Sequence, residues 1–146
     1  MPQYIIKHFS ELTPIEVYRI LQIRNEVFIL EQTCYYQDID DKDLVSYHLL
    51  VMNADELIGY ARLIPKGISY EAYCSIGRVL IKKEHRMHNY GKELMQEAIA
   101  FCDATFGGTI KIGAQKYLEK FYNELGFATC GEEYLEDDIP HVPMKK

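Results

Sequence analysis

Apolar residues along the chain change their spacing several times, and each change predicts a new element. Stretches such as Leu57–Ile64 and Ser75–Ile81 are short apolar runs bounded by turn residues, which favour strands. Other stretches repeat apolar residues at intervals of three and four, the period of a helix with one buried face. The pattern predicts strands over 4–9, 47–52, 57–64, 75–81, 109–114, 127–134 and 139–144, and helices over 14–31, 90–106 and 117–125.

Residues that begin and end helices support these bounds. Thr13, Pro14 and Glu16 have the signature of a capped helix start, because the threonine can cap, the proline suits the first turn and the glutamate completes a capping box. Gly107-Gly108 and Gly126 follow the second and third helical stretches, where glycine commonly ends a helix.

The predicted order of elements is β-α-β-β-β-α-β-α-β-β, with the polar residues 33–45 as a loop. An α/β fold (α+β mixed sheet), with helices on both faces of the central sheet, buries the apolar side of each element. Pro140 and Pro143 lack an N–H donor, so we expect the last strand at an edge or a bulge. The 146 residues suit a single domain, 1–146, since domains cluster near roughly 100–150 residues.

Charge and cysteine content narrow the class of function. The formal charge of −6 argues against nucleic acid as a partner, since such proteins usually carry basic surfaces. No apolar run approaches the roughly 18 residues of a membrane helix, and the N-terminus lacks the apolar stretch of a signal peptide. The four cysteines form no CxxC pair and are typical of small buried residues in a reducing compartment. We therefore expect a cytoplasmic protein with no membrane partner.

Metal ligands with a recognised spacing are not evident. The segment 38–43, DIDDKD, superficially resembles a calcium loop, but Lys42 and Asp43 stand where an EF-hand needs an acid or asparagine and then a glycine. His85 and His88 lie three residues apart without evident further ligands, and no P-loop is present. We predict no metal site.

A basic segment separates the strand at 75–81 from the helix that begins at Tyr90. Residues 82–92 hold four basic residues and one acidic residue, a formal charge of +3 in a chain whose total is −6. Free backbone N–H groups and the helix dipole make such a turn a suitable anion site. A solvated basic loop would have the same charge, so charge alone leaves both interpretations open.

The residues of this turn resemble motif A of the GNAT acetyltransferase superfamily, whose usual pattern is Q/R-x-x-G-x-G/A. Arg86 and Gly91 match the pattern, while Asn89 stands where glycine is usual and tolerates the left-handed backbone better than most residues. The resemblance implies that acetyl-coenzyme A is the co-substrate and that Arg86 and the turn bind it. The backbone N–H groups that would hold its pyrophosphate belong to Met87, His88, Asn89, Tyr90, Gly91 and Lys92.

A second segment, at 114–127, resembles motif B of the same superfamily. Phe121-Tyr122 and Leu125-Gly126-Phe127 match its terminal Y-x-x-L-G-F pattern. Gln115 stands where many members carry an asparagine that bonds the pantetheine arm or nearby backbone. Tyr122 matches the tyrosine whose hydroxyl lies near the coenzyme sulfur, although a tyrosine on an apolar helix stripe could equally be a packing residue.

The resemblance continues over nearly the whole chain and is specific to the ElaA-like branch. The matching segments are 27–34, 36–40, 60–62, 76–79 and 136–141. It implies the GNAT fold, with a mostly antiparallel twisted central sheet. It also implies direct transfer of an acetyl group from acetyl-coenzyme A to the primary amine of a small molecule. The alternative is a GNAT-like regulatory module that binds acyl-coenzyme A without turnover.

Roles in the reaction follow from the same resemblance. The strand before the turn splays from its neighbour in GNAT enzymes, so Val79 and Ile81 would present backbone groups to the acetyl carbonyl and the pantetheine. Tyr122 would act as the acid for the leaving thiolate, because a phenol has a higher reference pKa than a thiol.

The base that takes the amine proton is predicted less directly. Some members place a glutamate in the strand before the turn, but Ser75 stands there in this chain. His141 is the first candidate, since histidine titrates near neutrality, while a surface histidine without a role is the alternative. Glu31 or Glu136 could act instead through a water molecule.

Two arginines on adjacent predicted strands complete the candidate residues. Arg62 and Arg78 could bind a substrate carboxylate, or they could pair with internal acids such as Glu31 or Glu71. Glu31 is also a candidate for binding the acceptor. The expected partner is a small-molecule amine, and the expected assembly is a monomer or homodimer.

Overall fold

The computed structural model describes residues 1–146 as two four-stranded sheets with three α-helices. The first sheet has the antiparallel order β1-β2-β3-β4, and the second has β8 between β5 on one side and β6 and β7 on the other. The strands are β1 (Gln3–His8), β2 (Tyr47–Asn53), β3 (Glu56–Ile64), β4 (Ser75–Ile81), β5 (Lys111–Gln115), β6 (Ala128–Thr129), β7 (Tyr134–Glu136) and β8 (Ile139–Lys145).

The helices are α1 (Pro14–Arg24), α2 (Tyr90–Thr105) and α3 (Glu119–Glu124). The predicted capping box is present at α1, because the Glu16 N–H donates to the Thr13 hydroxyl and the Thr13 N–H donates to the Glu16 carboxylate. After Arg24 the helix continues as a seven-residue π-helical segment, Asn25–Glu31, and so ends where the sequence predicts. None of the helices is both long and apolar enough to cross a membrane.

Helices cover both faces of the first sheet, as predicted. Leu49 and Val51 in β2 point to a core of 19 buried residues that includes α2 and α3, whereas Leu50 between them points to a core of eight that includes α1. This alternation follows from the two-residue period of a strand. The α2 and α3 face and the α1 face are therefore distinct compartments of the molecule.

The C-terminal strands differ from the prediction in two ways. The strand expected at 127–134 is two short strands, β6 and β7, because Cys130–Glu133 leave the ladder as an exposed turn. The final strand, β8, is not at an edge. The backbone nitrogen of Pro143, which has no hydrogen to donate, faces the interval between β6 and β7. The Pro143 carbonyl on the same side accepts from the Cys130 N–H. Pro140 lies beyond the end of β5, where no partner strand needs its donor. Neither proline therefore interrupts a ladder hydrogen bond.

Candidate active site

The two sheets diverge from each other and leave a gap between β4 and β5. These strands pair only at one parallel bridge, Cys74 with Ile110, where the Lys111 N–H donates to the Cys74 carbonyl at 3.0 Å. Beyond the bridge each strand keeps a ladder on its outer side alone. The inner edges of β4 and β5 thus face each other across an opening without ladder hydrogen bonds.

The β4 wall consists of backbone groups from two residues named in the sequence. Tyr60 pairs with Leu80, and the Lys82 N–H donates to the Ile58 carbonyl at 2.7 Å. Because successive residues of a strand alternate the direction of their N–H and C=O groups, Val79 and Ile81 turn theirs away from β3 and into the gap.

The β5 wall follows from the same alternation. Ile110 and Lys146 exchange both of their backbone hydrogen bonds, at 2.9 and 3.0 Å, so every second residue from Ile110 faces β8. The backbone of Gly113 and Gln115 therefore faces the gap. The opening has backbone donors and acceptors on both sides.

The basic turn lies at the end of the β4 wall and begins α2. Met87 and Asn89 have left-handed backbone, with φ of 72° and 65°, so asparagine does adopt the conformation for which glycine is usual. The first helical bond of α2 is donated by Glu93 to the Asn89 carbonyl. Six consecutive N–H groups have no hydrogen-bond partner in the protein, and they belong to Met87, His88, Asn89, Tyr90, Gly91 and Lys92.

The side chains of the turn divide into paired and free cations. Arg86 donates from Nε to the Ile81 carbonyl at 2.8 Å and holds Glu31 through both terminal nitrogens, at 2.6 and 3.0 Å. Lys83 and Lys92 are exposed and form no ion pair. The turn therefore offers backbone donors together with two free lysines, the chemistry of an anion site.

Tyr122 lies in α3 on the α2 and α3 face and is 6 % exposed. Its ring packs edge-to-face against Phe121 and Phe127. The hydroxyl has no hydrogen-bond partner and keeps access to solvent, since it is absent from the buried unpartnered atoms. Burial, with a further contribution from Tyr117, raises the pKa of Tyr122 to about 12, so the phenol stays protonated at neutral pH.

Gln115 and His141 lie on the opposite face, next to the end of α1. They are paired positions of β5 and β8, and their neighbours Ala114 and Val142 belong to the α2 and α3 core, so their own side chains point to the α1 face. The Gln115 amide donates to Gln32, which follows the π-helical segment, at 3.4 Å. Gln115 thus offers its backbone to the gap, while its side chain contacts Gln32 rather than the turn before α2.

His141 is 6 % exposed, and one of its ring nitrogens is committed. Nδ1 lies 2.7 Å from the Ile139 carbonyl, which can only accept, so Nδ1 carries a proton and Nε2 keeps a lone pair in the neutral ring. Nε2 faces Glu136 at 3.5 Å, and the ring stacks on Tyr134. A histidine held in one tautomer in this way can accept a proton at Nε2.

Arg62 and Arg78 pair with internal acids, one of the two alternatives left open by the sequence, but the acids are aspartates of the loop at 33–46 rather than Glu31 or Glu71. Arg62 is 2 % exposed and contacts Asp40 and Asp43, which occupy both of its terminal nitrogens. Arg62 is therefore a buried partner of internal aspartates rather than a free cation for a substrate carboxylate. Its Nε is buried without any partner.

Arg78 also pairs internally, at the place where β4 bulges. Its Nε donates to Asp38 at 2.6 Å, and its guanidinium lies over the Tyr36 ring at 5.5 Å. Asp38 in turn accepts from Arg24, which is fully buried and also donates to Asp43 at 2.6 Å. Three arginines and three aspartates thus form one network between α1, β3, β4 and the loop at 33–46.

This network is the part of the site that sequence reasoning missed. Arg24 lies on the apolar stripe of α1, four residues after Ile20 and three before Val27. A charged residue at a core position is the signal in the sequence that indicates a buried ion pair. The three aspartates lie in a segment that superficially resembles a calcium loop, and Asp38 and Asp40 also lie in the segment 36–40 that matches the ElaA-like branch. Their partners come from three other elements, and no local pattern shows that.

Two cavities elsewhere have different linings. A polar cavity of about 310 Å³ lies between α1 and the β2–β3 hairpin, lined by Arg19, Glu26, Glu56 and Lys82 among others. An apolar cavity of about 200 Å³ lies between α1 and the turn at 42–45, lined mainly by aliphatic residues. Neither includes a residue of the gap between β4 and β5.

Comparisons of the sequence and of the structure with known proteins identify the same relatives. A family model described as acetyltransferase (GNAT) domain matches residues 12–146. Protein ElaA of Escherichia coli is 38 % identical over 142 residues, which cover 95 % of this chain and 92 % of that protein. The crystal structure of Escherichia coli ElaA superposes with a TM-score of 0.94 at 36 % identity, over 100 % of this chain and 99 % of that one. An acyl-CoA N-acyltransferase from Pseudomonas aeruginosa has a TM-score of 0.94 at 35 % identity, over the same shares of both chains.

Proposed function

Because this chain belongs to the GNAT acetyltransferase family, with an acyltransferase fold and ElaA-like relatives, we propose that it transfers an acetyl group from acetyl-coenzyme A directly to the primary amine of a small molecule. The observation that carries the proposal is the row of six free N–H groups at Met87–Lys92, next to a gap lined by backbone groups. Such donors suit phosphate oxygens, and two free lysines beside them add charge.

Coenzyme binding is assigned to the α2 and α3 face and the acceptor to the α1 face. The turn donors would hold the pyrophosphate, and Val79, Ile81 and the Gln115 backbone would line the path of the pantetheine arm. The bound thioester supplies an activated acetyl group. The support for this division is that the turn and Tyr122 lie towards one face, whereas His141 and the Gln115 side chain lie on the other.

For each step of the proposed transfer, one residue of this chain is available to donate or accept the proton or hydrogen bond. The Val79 N–H donates a hydrogen bond to the acyl carbonyl oxygen, where negative charge develops. His141 Nε2 accepts a proton from the attacking amine, directly or through water, because its Nδ1 is already committed to Ile139. Tyr122 donates its phenolic proton to the departing sulfur, and its pKa of about 12 means that the phenol carries this proton at neutral pH.

The proposal is tested first by calorimetry and then by turnover. Acetyl-coenzyme A is expected to bind and to raise the melting temperature, because a ligand that binds only the native state stabilises it. A panel of small primary amines is then scanned for release of free coenzyme A. Absence of binding at millimolar coenzyme contradicts the proposal. Binding without release across the panel would favour the alternative of a regulatory acyl-coenzyme A module.

The cytoplasmic setting and the monomeric or homodimeric state stay predictions from the sequence.

A further inference from the structure

The bulge of β4 depends on a residue in an unfavourable conformation. Between the Arg62–Gly77 and Tyr60–Leu80 pairs, β4 has one residue more than β3, and Arg78 at this point has a φ of 51°. An arginine has no intrinsic preference for left-handed backbone, which glycine adopts without cost. Some contact of the Arg78 side chain must therefore stabilise the bulge.

The bulge determines which way the end of β4 faces. Ile76 and Leu80 are four residues apart and would share one face of a regular strand. Instead Ile76 lies in the core of α2 and α3, and Leu80 lies in the core of α1. The extra residue at the bulge thus turns Val79 and Ile81 towards the α2 and α3 core, with the Val79 backbone directly after Arg78.

Asp38 provides the contact that holds this conformation. It accepts from Arg78 Nε at 2.6 Å and, through its backbone carbonyl, from Arg78 Nη2 at 3.2 Å. Asp38 is itself fixed, since Arg24 donates to its carboxylate and its carbonyl at 2.9 Å each, and Tyr36 donates to its carboxylate at 3.0 Å. The exposed fraction of the Asp38 side chain is 10 %, so solvent screens the Arg78 pair little.

We propose that Asp38 and Arg78 are positioning residues, whose ion pair holds the β4 bulge and so directs the Val79 N–H at the acyl carbonyl. The inference rests on the proposed function, and it assigns the guanidinium to the backbone of its own strand rather than to a substrate carboxylate. A charged anchor in the loop at 33–46, itself held by Arg24 of α1, thereby fixes the geometry of a backbone donor in β4.

Two substitutions at one position separate this role from substrate binding. Arg78→Gly removes the ion pair but allows left-handed backbone, whereas Arg78→Ala removes the pair and keeps the conformational cost. We expect Arg78→Gly to turn over about 5–30-fold faster than Arg78→Ala, the factor that corresponds to the cost of a left-handed residue. The coenzyme Kd should change less than about twofold in both, because the phosphate-binding turn is untouched.

Arg19→Gly and Arg19→Ala are the matched controls, since Arg19 is exposed in α1 and makes no contact with Asp38 or Arg78. Alanine stabilises a right-handed helix more than glycine does, so Arg19→Ala should be more stable than Arg19→Gly. Both Arg19 variants should turn over at the wild-type rate. Tyr36→Phe is a milder probe of the same anchor, because it removes only the hydroxyl bond to Asp38, and it should lower turnover slightly without unfolding the protein.

Amide resonances give a readout that does not need turnover. The Val79 and Leu80 amide shifts should move in Arg78→Ala and return towards wild type in Arg78→Gly. Equal turnover losses in both variants together with a raised acceptor KM would show that the guanidinium contacts substrate and would overturn the proposal. Unchanged Val79 shifts in Arg78→Ala would overturn it too. If the wild type transfers no acyl group to any amine, the proposed function fails, and the amide shifts still decide whether Asp38 and Arg78 hold the bulge.

Discussion

The Glu31 carboxylate holds both terminal nitrogens of Arg86, at 2.6 and 3.0 Å. This pair joins the end of the π-helical segment after α1 to the turn before α2. Gln32, the next residue, contacts Gln115 on the other wall of the gap. Two adjacent residues at the end of this segment thus contact the proposed coenzyme turn and the proposed acceptor side.

Replacing Glu31 should strengthen coenzyme binding. Glu31→Gln removes the carboxylate that competes with phosphate for Arg86, and we expect a lower coenzyme Kd by about two- to fivefold, since a partly exposed ion pair is weak. Calorimetry with acetyl-coenzyme A measures this. Glu84→Gln is the control, because Glu84 is an exposed acid of the same turn with no ion pair. An equal decrease of the Kd in both variants would mean that only the net charge of the turn matters. A higher Kd in Glu31→Gln would mean that Glu31 pre-orients Arg86 for binding.

Gly91→Glu should prevent coenzyme binding while leaving the fold intact. A Cβ at Gly91 would meet only Ile81 Cγ1 and Phe121 Cζ, both at 3.9 Å, so the site has room for a side chain in the free protein. That side chain would point into the space beside the free N–H groups and bring a negative charge to the phosphates. We expect the coenzyme Kd to rise by about tenfold or more.

The matched control for Gly91→Glu is Gln96→Glu, which adds the same charge to an exposed position further along α2. Its Kd should stay close to that of the wild type. Thermal unfolding of both variants checks the fold. Retained coenzyme affinity in a folded Gly91→Glu protein would place the phosphates elsewhere.

Tyr122→Phe should lower turnover by about 10²–10⁴-fold with little change in coenzyme affinity, as expected for the loss of a general acid. The ring and its packing on Phe121 and Phe127 are kept, so stability should hold. Burial raises the pKa of Tyr122 to about 12, and its protonated form therefore persists through the alkaline range. No loss of rate from Tyr122 ionisation should appear below about pH 11. The control is Tyr117→Phe, whose residue is 74 % exposed in the neighbouring turn; similar losses in both would reduce Tyr122 to a packing residue.

His141→Gln should reduce turnover and remove the acidic limb of the pH–rate profile, provided that chemistry limits the rate. An alkylamine attacks only in its neutral form, and Nε2 of His141 is the ring atom free to take the proton. Steady-state rates across pH measure the effect, with His8→Gln as a control in β1. If His141→Gln keeps both rate and limb, His141 has a structural role, and Glu31 and Glu136 become the next candidates for the base.

The buried ion network predicts how stability depends on pH. Burial alone would raise the pKa of the Asp43 carboxyl, but Arg24 and Arg62 hold it below its ordinary value. A carboxyl with a lowered folded-state pKa stabilises the protein above the unfolded pKa of about 3.9, and that contribution is lost as the pH falls further. The free energy of unfolding should therefore fall below about pH 4.

Asp43→Asn tests that dependence directly. We expect a loss of about 3 kcal/mol at neutral pH, the lower end for breaking a buried ion pair, because Arg24 keeps Asp38 and Arg62 keeps Asp40. The decrease towards low pH should also become shallower. Urea unfolding at several pH values measures both effects. Asp41→Asn, at an exposed acid without an ion pair, should change neither; a comparable loss there would mean that the network contributes no special stability.

Sequence periodicity determined most of the elements and their order. The capping box at Thr13, the stripe of α2 and the strand at Ser75–Ile81 all depend on residues close to one another in the chain, and the structure confirms them. The family resemblance rests on local motifs in the same way, and the comparisons confirm it. Asn89 adopts the left-handed conformation that its side chain tolerates.

Other features depend on residues that are far apart in the chain, and for these the sequence was insufficient or wrong. The position of β8 inside its sheet was missed, because whether a proline interrupts a ladder depends on which neighbour its missing N–H faces. The sequence leaves Arg62 and Arg78 between a substrate carboxylate and internal acids, and only the folded loop at 33–46 brings the aspartates to them.

The sequence by itself determined the family, most of the helices and strands, and the place of the basic turn before α2, because each follows from spacing along one stretch of chain. Only the tertiary structure decided that His141 and Tyr122 lie towards opposite faces, and that Asp38 contacts Arg78 at the β4 bulge. Asp38 and Arg78, for example, are 40 residues apart in the chain. The physical basis of these relations is strand register and the pairing of buried charges, which are fixed only when the sheets and α1 pack together.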